Sequence, residues 1–233
     1  MQPSRNTNSP PQENELSEGV IAVVGGTGKL GAALARRLAK AGRKVVIGSR
    51  SAESAERKAA ELGFGLAGLA NADAAAAADM VVVTVPFEAQ EATLADIAPH
   101  VAGKIVVDTT VPLVPPKVMR VQLPPEGSAA VRAQRLLGDG ANLVSAFHNV
   151  AAHKLATDDD VGCDVLVFGD DKAARSAVVA LANTAGLRGL HGGALVNSAA
   201  AEAMTSILIF LNKTYSVDGA GIRITGNLIE PAE

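Results

Sequence analysis

Residues 20–31 read VIAVVGGTGKLG, and residues 44–50 read KVVIGSR. Between them a helical pattern spans 29–41 and stops at Gly42. An apolar run, a cluster of glycines, a helix and a second apolar run make the strand–helix–strand unit of a dinucleotide-binding fold. Gly26, Thr27, Gly28, Lys29, Leu30 and Gly31 fit the G-x-G-x-x-G spacing, with Gly25 as a further residue lacking a Cβ. The helix that opens here offers unpaired N–H groups and a partial positive charge, which suit a pyrophosphate. Gly28 lets the backbone approach the ligand, and Gly31 lets helix and strand pack closely. Proteins that prefer NAD place an acid at the end of the second strand, for the ribose 2′-hydroxyl. Ser49 and Arg50 stand there instead, and a hydroxyl with a guanidinium suits the extra phosphate of NADP.

Apolar runs and helical patterns alternate outward from this unit. Strands are expected at 20–24, 45–47, 65–70, 80–85, 105–108 and 143–146, and helices at 29–41, 51–62, 73–78, 88–97 and 128–137. Ser51 is placed to cap the second helix. Near-continuous β-branched strands such as MVVVTV (80–85) indicate a parallel sheet covered on both faces. After Asn149 come an expected strand at 164–168, a helix at 172–185, a strand at 187–191, a long helix at 197–215 and a final strand at 219–225. The fold class is α/β, a Rossmann doubly wound parallel sheet with a smaller C-terminal α/β domain. The expected units are a disordered leader at 1–18, an NADP-binding Rossmann domain at 19–148 and the smaller domain at 149–233.

Composition narrows the function. The 233 residues are 48% hydrophobic, carry a net charge of −3, and contain 3% aromatics with no Trp. That balance argues against nucleic-acid stacking platforms and anionic membrane surfaces as partners. The leader, rich in Pro and Asn, is neither a signal nor a transit peptide. ILIFL at 207–211 is too short for a membrane span. The single Cys163 forms no intrachain disulfide and reads as a small buried strand residue, which fits a reducing, cytoplasmic setting.

The loops beyond the strand ends hold the remaining candidates, because ligands in this fold sit there. Thr84-Val85-Pro86-Phe87 and Thr109-Thr110-Val111-Pro112 should line the nicotinamide-ribose side. A connection at 113–127 with four prolines should pack nearby. In Ser145-Ala146-Phe147-His148-Asn149, His148 points toward the cleft, with a packed structural histidine as the equal alternative. His153 is a weaker candidate; His100 ends a helix and His191 lies in a glycine turn. No spacing resembles a metal site, and 158–160 read as a solvated acidic loop.

The ordered set VGGTGKLG, IGSR, TVPFE, VPLVPP, SAFHN, FGDD and NSAAAEAMTS resembles the NADP oxidoreductases that use the deazaflavin coenzyme F-420, from residue 20 to about 226. The resemblance implies hydride transfer between carbon 4 of the nicotinamide and carbon 5 of the deazaflavin. It implies that Thr27, Gly28, Lys29 and Leu30 hold the pyrophosphate and that Ser49 and Arg50 hold the 2′-phosphate. It also puts Val111 and Ala152 near the nicotinamide half and His148 where the two rings meet. The family often has a basic residue early in the second helix; Ser54 stands there here, with Arg57 one turn on. A homodimer through the apolar helix around 199–211 is the expected assembly. The alternatives are an NADPH-dependent flavin, imine or ketone reductase of the same fold, or a non-catalytic NADPH sensor. Imine and ketone substrates need a proton donor, and such donors are scarce in this chain.

Overall fold

The computed structural model describes residues 19–229, so the expected leader at 1–18 lies outside the described residues. Eight strands form one sheet: β1 Ile21–Val24, β2 Val45–Ser49, β3 Ala67–Ala70, β4 Met80–Val83, β5 Ile105–Asp108, β6 Asn142–Ser145, β7 Asp164–Gly169 and β8 Arg188–Gly193. Their order is β3-β2-β1-β4-β5-β6-β7-β8. The helices are α1 Lys29–Lys40, α2 Ala52–Leu62, α3 Asn71–Ala77, α4 Phe87–Ile97, α5 Ala129–Leu137, α6 Ala152–Leu155, α7 Lys172–Thr184 and α8 Ser198–Tyr215.

The first six strands are parallel and take the doubly wound order 3-2-1-4-5-6. The apolar runs explain why. Every residue of β1 and β4 is buried, and successive side chains feed opposite faces. Ile21, Val23 and Val82 pack with Leu34 and Leu38 of α1 on one face. Ala22, Val24, Val81 and Val83 pack with Leu94 and Ile97 of α4 on the other.

β6 does not end the sheet. β7 joins it antiparallel through only two residue pairs, Val144 with Gly169 and Ser145 with Phe168, and β8 follows parallel to β7. One apolar core crosses residue 149 without a break: Val165 and Val167 of β7 and Val178 and Leu181 of α7 belong to the α1 face. The residues after 149 therefore extend the Rossmann sheet itself.

Three local expectations differ from the structure. The segment at 219–225 forms no strand but lies along the start of β7. There the Asp164 N–H donates to the Ile222 carbonyl (2.7 Å), and the Asp164 carboxylate accepts the Ile224 N–H (2.6 Å) and the Arg188 guanidinium. A side chain thus takes an amide that a ladder would have used. His191 lies within β8 rather than in a turn, and is exposed. The helix expected at 73–78 begins two residues earlier, at Asn71. In the exposed loop at 158–160, as expected, the acids are solvated, and Asp158 also pairs with Arg36 and Lys40, both at 2.7 Å. Arg37, on the same helix, donates to the carbonyls of Leu155, Thr157, Asp159 and Ala185.

The 21-residue run Leu195–Tyr215 contains an 18-residue stretch with a mean hydropathy of 1.3, enough by length and composition alone for a membrane span. Its inward face carries Ser198, Glu202 and Ser206, all buried, so this helix is docked on polar partners.

Candidate active site

The glycines divide the work at the nucleotide end. Gly25 has φ of +73°, where a Cβ is strained, and its N–H donates to Asn71 Oδ1 at 3.3 Å. A Cβ on Gly26 would stand 2.6 Å from the Val23 carbonyl oxygen. One on Gly31 would stand 2.4 Å from Thr84 Oγ1 and 2.7 Å from Gly26 Cα. Gly28 is different: it is exposed, and the nearest atom to an added Cβ is the Gly25 carbonyl oxygen at 3.3 Å. Gly26 and Gly31 are thus glycines for the protein's own packing, and Gly28 faces open space. Gly28 is also the cap of α1, and no side chain caps that helix. α2, α5 and α7 are capped by Ser51, Ser128 and Asp171. The first turn of α1, with Lys29 exposed and no acid present, is left to an anion.

At the end of β2, Ser49 is buried and Arg50 projects into solvent, with no hydrogen bond to another described residue. Ser51 accepts the Ser54 N–H at 3.4 Å, as a capping serine does. The Ser54 hydroxyl accepts from Arg57 at 3.3 Å, so these two side chains lean together on the first turns of α2.

The threonines after β4 and β5 turn out to lock strand ends. Thr84 Oγ1 donates to the Val24 carbonyl (2.9 Å) and Thr109 Oγ1 to the Val83 carbonyl (3.0 Å). Thr110 Oγ1 donates to the Asp108 carboxylate at 2.6 Å. What these loops offer a ligand is the exposed Pro86 and the half-buried Val85 and Val111.

Beyond β6 the backbone turns sharply: Phe147, a residue with a Cβ, has φ of +66°. Non-glycine residues there are uncommon and concentrate at functional sites. The next residue, His148, is 7% exposed, with Nε2 2.7 Å from Ser145 Oγ and its ring 6.3 Å from that of Phe168. A Cβ on Gly192 would strike the Phe168 ring at 2.3 Å, so that glycine makes room for it. Burial pushes the His148 imidazole down to about 4, so it is neutral at physiological pH. Its carbonyl accepts from Thr205 Oγ1 at 3.0 Å, and Asn149 Nδ2 donates to the Ala201 carbonyl at 2.9 Å.

These residues border a cleft of about 190 Å³ walled by His148, Asn149, Ala151, Thr205, Leu208 and Ile209. Ala152 is half-buried at the start of α6, beside this wall. His153 stands on the rim, 2.8 Å from Asp218, and both are exposed. Small-molecule sites commonly enclose roughly 300–1,000 Å³, so this cleft is too small for a whole coenzyme. A larger groove of about 550 Å³ runs between α4, α5 and the proline-rich connection, past Phe87, Val114, Pro124 and Arg132. It contains neither the glycine loop nor His148, whereas the smaller cleft contains His148 but not the glycine loop. Among the described residues no group of three His, Cys, Asp or Glu side chains is placed to hold a metal.

The profile of the family described as "NADP oxidoreductase coenzyme F420-dependent" matches residues 20–112. An F420-dependent NADP reductase of Methanothermobacter thermautotrophicus is 42% identical over 218 residues, covering 88% of this chain and 94% of that protein. The chain belongs to the F420-dependent NADP reductase family. A second such reductase, from Methanocaldococcus jannaschii, is also 42% identical and covers 88% of the chain. A crystal structure from an Arthrobacter species, described as an F420-dependent NADP-reductase, superposes with a TM-score of 0.79. It is 27% identical and covers 89% of this chain and all of that one.

Several residues that shape this reductase's site escape a reading of the sequence. Asn71 lies ahead of the expected helix and carries no sequence signal, yet its side chain reaches back to Gly25 across 46 positions. Thr205 and Ala201 sit in what looks like a plain apolar helix. The only local signal is the polar face NSxxxExxTS at 197–206, whose spacing of three to four residues puts Ser198, Glu202, Thr205 and Ser206 on neighbouring positions of one side.

Proposed function

We propose that this reductase transfers a hydride between NADP(H) and coenzyme F-420, with the nucleotide on the Gly26–Gly31 loop and the deazaflavin edge beside His148. The observation that carries the placement of the acceptor is the wall of the cleft. Its buried titratable group, His148, is neutral, and its other walls are amide, hydroxyl and aliphatic apart from the exposed rim imidazole of His153, which is engaged by Asp218. Bound together, the two coenzymes supply a hydride donor and acceptor of their own, so the protein's part is to align two flat rings and exclude water. That need is met by a rigid neutral wall, whereas imine or ketone reduction would call for a proton donor.

The residues fit the nucleotide. The uncapped first turn of α1 takes the pyrophosphate, and Gly28 admits it without a side chain. Arg50, assisted by Ser49, Ser54 and Arg57, takes the 2′-phosphate; Pro86, Val111 and Ala152 pack near the nicotinamide. His148, held by Ser145, donates or accepts one neutral hydrogen bond at the acceptor ring. The residues after 149 complete the cleft through α6 and α8. Ile207, Phe210 and Tyr215 are exposed at 44%, 50% and 70%, an apolar edge of α8 that supports pairing of two copies.

One sample tests these readings. NADPH with purified coenzyme F-420 should bleach the deazaflavin absorbance, with flavin mononucleotide as the control acceptor, and light scattering at micromolar concentration should give a dimer. Turnover with the flavin alone overturns the acceptor, and a monomer overturns the pairing.

A further inference from the structure

A buried polar cluster outside the cleft joins its two sides. Gln90, Asp108, Ser128, Ser198 and Glu202 are each 1% exposed or less. The Glu202 carboxylate, carried on α8, accepts the first two N–H groups of α5: Ala129 at 2.6 Å and Ala130 at 3.1 Å. Ser128 Oγ accepts the third, from Val131, and also accepts from Ser198 Oγ at 3.1 Å. The start of α5 is therefore capped half by its own serine and half by a residue more than seventy positions away. Ala129 continues the chain of bonds, because its carbonyl accepts from Gln90 Nε2, which also donates to Asp108 at 2.8 Å. Asp108 in turn holds Thr110, next to Val111. At the other end, α8 turns Ala201 and Thr205 to the His148–Asn149 segment and Ser206 to the carbonyl of Arg120. An unbroken path thus runs from the loop at Val111, through Glu202, to the wall at His148.

We propose that Glu202 is a positioning residue for hydride transfer, its carboxyl fixing the seat of α8 on α5 and so the gap between the Val111 loop and the His148 wall. The inference rests on the acceptor lying beside His148. The groups around Glu202 make its charge state matter. Asp108, on β5, is the acid that bears on it, its own carboxyl also raised by burial, while Gln90 of α4, Ser128 ahead of α5 and Ser198 of α8 are neutral. On β7, Asp164 is taken by Arg188, and Asp170 just beyond that strand accepts the Leu195 N–H. Burial, with Asp108 adding to it, raises the Glu202 carboxyl from 4.5 to about 7, against the pull of the two N–H groups. Because the folded value lies above the unfolded one, the stability linked to it is complete below pH 4.5 and is lost as pH rises through about 7. The two N–H bonds that seat α8 on α5 favour the ionised carboxyl, while burial opposes its charge, so the strength of this contact changes as Glu202 titrates.

The test measures KM and kcat for NADPH and for coenzyme F-420 in wild type, Glu202→Gln, Glu202→Ala and Ile209→Trp across pH 6 to 8. Glu202→Ala should raise the KM for coenzyme F-420 about tenfold, with the KM for NADPH unchanged. Glu202→Gln keeps one acceptor for the two N–H groups, so it should raise the coenzyme's KM by less than Glu202→Ala does, and it should abolish the change in that KM that wild type shows between pH 6 and 8. A Glu202→Gln profile that keeps the wild-type slope overturns the inference, as does an equal rise of both KM values in Glu202→Ala. Ile209→Trp fills the cleft and reports on the acceptor's place. If it raises the coenzyme's KM while both Glu202 variants match wild type, only the role of Glu202 falls. If it has no effect, the placement of the acceptor falls and this inference with it. Should Glu202→Ala fail to fold, the slope in Glu202→Gln decides alone.

Discussion

At the nucleotide end of the site the chain works through its backbone: Gly25, Gly26, Gly28 and Gly31 lie within one turn-and-helix start, and Ser49-Arg50 follow one strand later. At the acceptor end it works through side chains. His148 and Asn149 are held by Ala201 and Thr205, between 52 and 57 positions along the chain. A local glycine motif makes the cradle, with Asn71 and Thr84 as its contacts from farther along the chain. The acceptor wall exists only after α8 has docked. One end is fixed by what is missing, a Cβ, and the other by what is bonded.

That contrast predicts where damage is greatest. Gly31→Ala puts a methyl group 2.4 Å from Thr84 Oγ1 and 2.7 Å from Gly26 Cα. Overpacking of this kind costs about 1–3 kcal/mol, and NADPH should no longer raise the melting temperature of the variant. Next comes Arg50→Glu, which replaces the guanidinium with a repelling charge. It should raise the KM for NADPH by about tenfold or more while leaving that for NADH nearly unchanged. Smallest is His148→Ala, which removes one neutral hydrogen bond. It should lower kcat by about tenfold while the NADPH dissociation constant, read by fluorescence titration, stays at the wild-type value. A weakened NADPH affinity in His148→Ala would mean that the two ends are not separate.

The same contrast explains what the sequence discloses. The Rossmann order, the cofactor loop and the Ser51 cap follow from short-range patterns: apolar runs, glycine spacing and a serine at a helix start. His148 is legible because it ends a strand at the carboxyl edge of the sheet. Its partner Thr205 is not, since it lies on a helix that mixes polar and apolar residues, and only the fold shows which stripe turns inward. Asn71 is hidden for another reason, a residue ahead of the expected helix used at long range. The expected strand at 219–225 fails because Asp164 spends its carboxylate on the Ile224 amide and on Arg188.

The joint between β6 and β7 has a mechanical consequence. Strand pairs in the parallel part share three or four matched residues, whereas this joint has two. Local opening is easiest where few backbone bonds must break together. The sheet and its apolar core are continuous across the joint, yet the backbone pairing is thinnest there, a hinge line between a broad leaf of six parallel strands and a narrow one formed by β7, α7 and β8. Phe168 lies on that hinge line with its ring beside His148, so breathing of the narrow leaf would reach the imidazole before any other part of the site.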